Sequence, residues 1–162
     1  MIRVILFEVI KMDEIVMTLR VLIGDVTSQK YSDLDLKRLL CVSANFILGE
    51  VDFSTSYSIT VYIPQIIPIP NDPSFISLVS LKAAIILLGS ELKEMARKSV
   101  AITDGPSKIE FTNVYKNTEA LLKELINQYA QSKISHGLNS ENSSRHAVMT
   151  PTTVNFTHKE QR

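Results

Sequence analysis

Three histidines are the residues best suited to bind a metal or move a proton, and all of them fall near the C-terminus. His136, His146 and His158 are separated by ten and twelve residues. Compact zinc-binding patterns place their ligands closer together, and the single cysteine, Cys41, lies far away in sequence. We therefore predict that these histidines are solvated polar residues and that the chain has no metal site.

The carboxylates, the glycines and the cysteine form no catalytic pattern either. The pairs Asp33/Asp35 and Glu91/Glu94 fall on predicted helix exteriors beside basic residues, where solvation explains them. The five glycines are scattered singly, without a phosphate-binding loop. Cys41 has no histidine nearby in sequence and is expected inside the fold as a small hydrophobe. The sequence predicts no enzyme, no catalytic residue and no cofactor.

Length and charge indicate one domain and no electrostatic attraction to nucleic acid. The 162 residues suffice for a single core, and 17 basic residues balance 17 acidic ones. We expect an N-terminal extension (1–12), a helical domain (13–135) and a C-terminal segment (136–162). The apolar start of the chain is interrupted by Glu8 and lacks a cleavage site, so synthesis in the cytosol is expected. Residues 1–11 are either an extension, a short strand or a misassigned start.

The segment from Pro73 to Lys98 predicts the central helix. Asp72 is a capping residue, and a proline is favoured at the first helical position. From Phe75 to Leu88 the chain is apolar on nearly every face, so this helix must be covered on all sides. Those 14 residues, which include Lys82, are too short to span a hydrocarbon layer of about 30 Å. A buried core helix is therefore expected, and no membrane.

Three amphipathic helices should surround it, giving a mainly α fold, a small helical bundle. The first runs from Asp13 to Ile23 and ends at Gly24, and the second is capped by Ser32 and runs to Glu50. The last begins at Val114 or Asn117 and ends near Ser132. Its expected buried residues are Tyr115, Leu121, Leu122, Leu125, Ile126 and Tyr129.

Two segments predict extended structure. Residues 57–63 alternate in a strand-like pattern, and the prolines of Pro64–Pro70 then restrict the chain to an edge strand or an extended arm. That arm packs either on its own domain or on a neighbouring subunit. Residues 99–111 are expected to form a β-hairpin turning at Asp104, Gly105 and Pro106, because Asp-Gly is a strong hairpin signal. The hairpin either covers the core or touches a partner with its tip.

Residues 136–162 form a polar tail rich in Ser, Asn, Thr and His. Such a composition cannot bury enough apolar surface to fold alone. Leu138, Val148, Met149, Val154 and Phe156 are nevertheless spaced through it. The tail is either a disordered end or a segment that becomes ordered by docking on a partner.

Five segments, in this order, resemble the head-to-tail connector proteins of tailed bacteriophages, also called adaptor or neck proteins. They are LRVLIGD (Leu19–Asp25), YSDLDLKRLL (Tyr31–Leu40), the strand before NDP (Asn71–Pro73), KAAIILLGSEL (Lys82–Leu92) and ITDGPSKIEF (Ile102–Phe111). The resemblance covers residues 12–132. It implies a structural virion protein, synthesised in the host cytoplasm, that forms a ring with copies of itself, typically twelve, at the phage neck.

The same resemblance implies the partners. The ring would lie between the portal protein and the tail, nozzle or terminator proteins, and DNA would pass through its channel without specific binding. Residues 136–162 would be the arm that docks on the portal. The implied contacts are Val148, Met149, Val154 and Phe156 on the portal, and Asp104, Gly105 and Pro106 against a subunit or tail protein.

Two other functions stay open. One is a tail-completion or terminator protein, whose ring lies further down the tail. The other is a small helical DNA-binding regulator, for which a winged-helix arrangement would need a basic, exposed helix before the hairpin. The helix in that position is instead the most apolar in the chain, which argues against a winged helix.

Overall fold

Four helices and one short antiparallel hairpin make up the part of the chain that the structure describes. This computed structural model describes the backbone of residues 2–99 and 107–144 and the side chains of residues 12–97 and 113–138. In chain order the elements are α1 (Ile2–Ile23), α2 (Asp33–Leu48), β1 (Ser58–Thr60), β2 (Gln65–Ile67), α3 (Pro73–Ser99) and α4 (Ser107–Ser144). The expected mainly helical fold is confirmed.

α3 is the helix on which the other three pack, as its sequence predicts. It begins at Pro73, and the Asp72 carboxylate accepts a hydrogen bond from the Ser74 backbone N–H at 2.8 Å. α1, α2 and α4 all contact it. Its buried apolar residues are Phe75, Leu78, Val79, Leu81, Ala83, Ala84, Leu88 and Leu92. In the described residues it is also the one helix long and apolar enough to cross a membrane, but half of that window is buried, as in a core helix.

The ends of α1 and α2 follow local sequence signals. Gly24 ends α1 with a φ of +74°, a conformation that glycine adopts readily, and the Asp25 N–H donates to the Arg20 carbonyl at 2.9 Å. Ser32 caps α2, since its hydroxyl accepts the Asp35 N–H at 3.2 Å. The expected start of α1 at Asp13 is wrong, because the helix already begins at Ile2. Residues 2–12 are therefore helical and not a short strand.

The hairpin of the structure lies in the Tyr57–Pro70 region. β1 pairs antiparallel with β2, with Ile59 opposite Ile66. Pro64 and Pro68 flank β2, so neither proline removes a backbone donor from within the strand. The single strand expected over residues 57–63 is too long, because β1 ends at Thr60 and the chain turns at residues 61–64. Ile66 is buried in the core, which holds the base of the hairpin against α2.

The second hairpin, expected over residues 99–111, is wrong. Ser99 is the last residue of α3, and residues 107–111 form the first part of α4. The turn itself, Asp104, Gly105 and Pro106, lies outside the described residues. The physical reason is that acids, prolines and serines favour helix starts as well as turns, so Asp-Gly-Pro-Ser also suits the beginning of a helix.

α4 is longer and less buried than expected. It runs from Ser107 to Ser144, so residues 136–144 are helical and not an extended arm. Leu125 and Tyr129 are buried, and Tyr115 and Leu122 are half-buried. Leu121 and Ile126 are exposed, contrary to expectation. The reason is that α4 packs mainly on one helix, α3, which covers only a narrow stripe of it.

Candidate interaction surfaces

The site residues expected from the sequence lie outside the part of the chain that the structure describes. The turn residues are Asp104, Gly105 and Pro106, and the candidate anchors of the arm are Val148, Met149, Val154 and Phe156. Their contacts therefore stay predictions. The described residues instead present two charged clusters, an aromatic cluster, an apolar hairpin tip and a groove, and sequence reasoning identified none of these as sites.

A buried arginine joins α1 to the loop that follows it. Arg20 is 1% exposed, and its guanidinium donates to the carboxylates of Asp25 at 2.7 Å and Asp33 at 2.5 Å. It also donates to the backbone carbonyls of Asp25 at 3.3 Å and Tyr31 at 2.9 Å. This fork of four hydrogen bonds fixes the path from α1 to α2. In the sequence, this buried arginine could have been suspected because Arg20 adjoins Leu19 on the apolar stripe of α1, and Asp25 and Asp33 follow it in the chain.

Asp25 is the centre of that cluster. Burial by itself raises the pKa of its carboxyl, but backbone N–H donors from Lys30, Tyr31 and Gln29 and the Arg20 charge outweigh it, so the pKa lies below its usual value. The carboxylate accepts the Gln29 and Lys30 N–H groups at 3.1 Å and the Tyr31 N–H at 3.2 Å. A carboxylate saturated in this way holds a loop and is not available as a base.

A second cluster ties the end of α2 to α3 and α4. Glu50 accepts hydrogen bonds from Lys82 at 2.6 Å, Lys133 at 2.9 Å and the Tyr129 hydroxyl at 2.8 Å. The two lysine hydrogen bonds are the largest cause that lowers the pKa of Glu50, to about 2. The ammonium of Lys82 also lies 5.1 Å from the centroid of the Tyr129 ring. This cluster fixes three elements with respect to one another.

His136 belongs to the helical body and not to a separate arm. Its Nε2 lies 3.1 Å from the Asp52 carbonyl, and its ring centroid is 4.7 Å from that of Phe53. The Phe53 ring packs edge-on against Phe75 of α3, with 5.2 Å between the ring centroids. Tyr57 stacks on Phe75, with 4.1 Å between the ring centroids. The cluster holds the loop before β1 against both α3 and α4. His136 keeps part of its surface in solvent, as expected of a polar residue, but the sequence did not predict these contacts.

The turn between β1 and β2 presents apolar side chains to solvent. We call residues Val61–Pro64 the hairpin tip. Tyr62 is 85% exposed and Ile63 is 69% exposed. The base of the hairpin is fixed by Ile66 in the core, so the tip is held out from the body by a packed stem. Large apolar residues at a protruding turn are typical of a contact with another molecule.

A groove of about 920 Å³ is lined by residues of α1, α3 and α4. Its apolar lining includes Leu22 of α1 and Ile76 and Leu81 of α3. Its polar lining comes from serines, glutamines, Thr18, Asn71 and His136, and none of the lining residues that the structure describes is an Asp, Glu, Lys or Arg. The groove therefore suits an uncharged occupant with some hydrogen-bonding capacity.

α4 carries further exposed apolar residues beyond the stripe that packs on α3. Ile126, Ile134 and Leu138 are all exposed. Positions 134 and 138 are one helical turn apart and adjoin each other on the helix surface. The outer face of α4 therefore carries apolar side chains that the other described residues leave exposed.

The Cys41 thiol and the Tyr31 hydroxyl both lie in packed surroundings. Burial raises the pKa of the Cys41 thiol, which is fully buried on α2 as the sequence predicts and stays protonated near neutral pH. Burial, followed by the Glu91 carboxylate that accepts its hydroxyl, raises the pKa of Tyr31. Within residues 12–97 and 113–138, no three side chains of His, Cys, Asp or Glu converge as metal ligands.

The described residues thus present exposed apolar side chains at the hairpin tip and on α4, and an open groove. Comparisons of the chain with protein-family models, with curated proteins and with solved structures found no match. What the protein does is therefore inferred from its own surfaces and sequence.

Proposed function

We propose that the chain is a structural subunit of a bacteriophage neck, which assembles with copies of itself into a ring between the portal and the tail. The observation that carries the assembly part of this proposal is the hairpin tip. A stem packed in the core holds Tyr62 and Ile63 in solvent. Exposure of such large apolar side chains to water is unfavourable, and contact with another molecule would relieve it. The neck as the place of assembly follows from the resemblance to connector proteins.

The charge and the helical body suit this role. Equal numbers of acidic and basic residues create no strong attraction to phosphates, so DNA could pass a ring of such subunits without being held by counterion release. Two charged clusters and an aromatic cluster fix the loops on the helices, which gives each subunit a defined shape. Defined faces are what a closed ring of identical subunits needs.

The arm proposed to dock on the portal now comprises residues 145–162, because residues 136–144 belong to α4. Its candidate anchors are unchanged: Val148, Met149, Val154 and Phe156. Repetition around a ring lets modest contacts of the individual arms sum to a stable attachment.

Photo-cross-linking in assembled particles tests this function. A photoreactive amino acid replaces Phe156, and the cross-linked neighbour is identified by mass spectrometry after irradiation. The proposal predicts the portal protein. A tail protein as the neighbour would support the terminator alternative, and particles that lack the chain would refute any neck role. The same amino acid at Lys123, an exposed position on α4, is the control for non-specific capture.

A further inference from the structure

The hairpin tip and the groove are complementary in chemistry. No charged residue occurs between Asp52 and Asp72, so the hairpin tip and its stem are entirely neutral. The described residues that line the groove are polar or apolar, and none is an Asp, Glu, Lys or Arg. Each of these surfaces would desolvate a charged partner unfavourably, and each accepts a neutral one at low cost.

Tyr62 has the mixed character that the groove requires. Its ring would cover the apolar lining formed by Leu22, Ile76 and Leu81, and its hydroxyl would find donors and acceptors among Ser77 and Gln131. Tyrosine is enriched among the residues that dominate binding at protein interfaces for this reason. A volume of about 920 Å³ is at the upper end of the range of ligand pockets, so Ile63 can enter beside Tyr62.

The two surfaces lie on different parts of the fold. The hairpin packs on α2, whereas the groove is formed by α1, α3 and α4, and no residue of β1, β2 or the hairpin tip lines the groove. A copy that inserts its tip into a neighbour therefore keeps its own groove open. Contacts of this kind are head-to-tail, and they generate rings when the rotation closes.

We infer that the hairpin tip of one copy docks in the α1/α3/α4 groove of a second copy. This inference rests on the proposed ring and deepens it by naming the contact between subunits. The buried area of one tip is small, so a single contact is weak and the assembly depends on closure and on the portal.

Disulfide trapping tests the contact directly. The double variant Tyr62→Cys/Ser77→Cys places one thiol on the tip and one in the groove, at two exposed positions outside the core. Cys41 is fully buried and does not compete. The full-length variant is oxidised at high protein concentration and separated by non-reducing gel electrophoresis. The inference predicts a ladder of covalent dimers, trimers and larger species that reduction removes.

The matched control is Tyr62→Cys/Lys123→Cys, whose second thiol is exposed on α4 but outside the groove. This control and each single variant should form few disulfide-linked oligomers. An equal ladder from the control, no intermolecular product, or only an internally linked monomer would overturn the inference. If no disulfide-linked oligomers form but position 156 still cross-links to the portal, the neck role stands and the proposed contact is wrong. If the oligomers form but the chain is absent from particles, the contact stands and the neck role is wrong.

Discussion

Replacing Arg20 by methionine should destabilise the fold strongly, because the side chain is buried and all its hydrogen-bonding partners lie on one loop and on α2. The substitution keeps the apolar stem and removes four hydrogen bonds, to the two carboxylates of Asp25 and Asp33 and to two backbone carbonyls. Removing one partner of a buried ion pair costs about 3–5 kcal/mol. Asp25 keeps three backbone N–H donors, so the lower end, about 3 kcal/mol, is expected.

Urea unfolding followed by far-ultraviolet circular dichroism at pH 7 measures this loss. With a dependence of about 2 kcal/mol per molar urea, the midpoint should fall by roughly 1.5 M. The matched control is Arg38→Met on α2, since Arg38 is 43% exposed and its ion pair with Asp35 is long, at 3.9 Å. The control should lose less than about 0.5 kcal/mol. A loss below about 1 kcal/mol for Arg20→Met, or equal losses for both variants, would show that the Arg20 hydrogen bonds do not stabilise the fold.

Three further predictions concern Glu50, Phe75 and Tyr62. Glu50→Gln should lower the free energy of unfolding by about 1–2 kcal/mol at pH 7, because it weakens the charge-assisted hydrogen bonds to two lysines. The pKa of Glu50 is lowered to about 2 in the fold, so wild type should lose this advantage as the pH falls from 4.5 toward 2. Urea unfolding curves at a series of pH values measure the difference. Phe75→Ala should cost about 3–5 kcal/mol in the same assay, against less than about 1 kcal/mol for the exposed Phe46→Ala, and equal costs would contradict the assigned core. Tyr62→Ala should change stability by less than about 0.5 kcal/mol yet weaken self-association in sedimentation velocity, and a large loss of stability would show that the tip is not free.

Helix boundaries marked by a local cap were predictable from the sequence. Ser32 begins α2, Asp72 and Pro73 begin α3, and Gly24 ends α1, because each of these residues satisfies or relieves backbone groups within its own turn. These helix ends depend on residues that are adjacent in the chain, so they can be predicted from a single sequence. The burial of α3 was predictable from composition, because residues 75–88 are apolar on nearly every face.

Features decided by tertiary contacts were not predictable. Asp104-Gly105 resembled a hairpin signal, whereas the hairpin that forms, between Thr60 and Gln65, has neither Asn-Gly nor Asp-Gly in its turn. Its position is set by packing of Ile66 on the core. The apolar pattern of α4 likewise predicted burial of Ile126, which α3 does not reach.

The candidate surfaces were hidden from sequence reasoning for a related reason. The sequence does not distinguish Arg20 from the other charged residues, because its partners Asp25, Tyr31 and Asp33 come together only in the folded chain. The groove collects residues from three helices that are far apart in sequence. The segment Pro64–Pro70 was expected to pack either on its own domain or on a neighbour, and its residues differ in the structure: Ile66 is buried in the core, whereas Ile67 is exposed.

Native mass spectrometry of the chain mixed with a portal protein measures ring assembly itself. The chain alone should be a monomer or a weak oligomer. With portal present, we expect a closed assembly containing many copies of the chain and no partially filled intermediates at saturation. A chain that remains unbound at saturating portal, or that binds as a single copy, would contradict a function based on ring assembly.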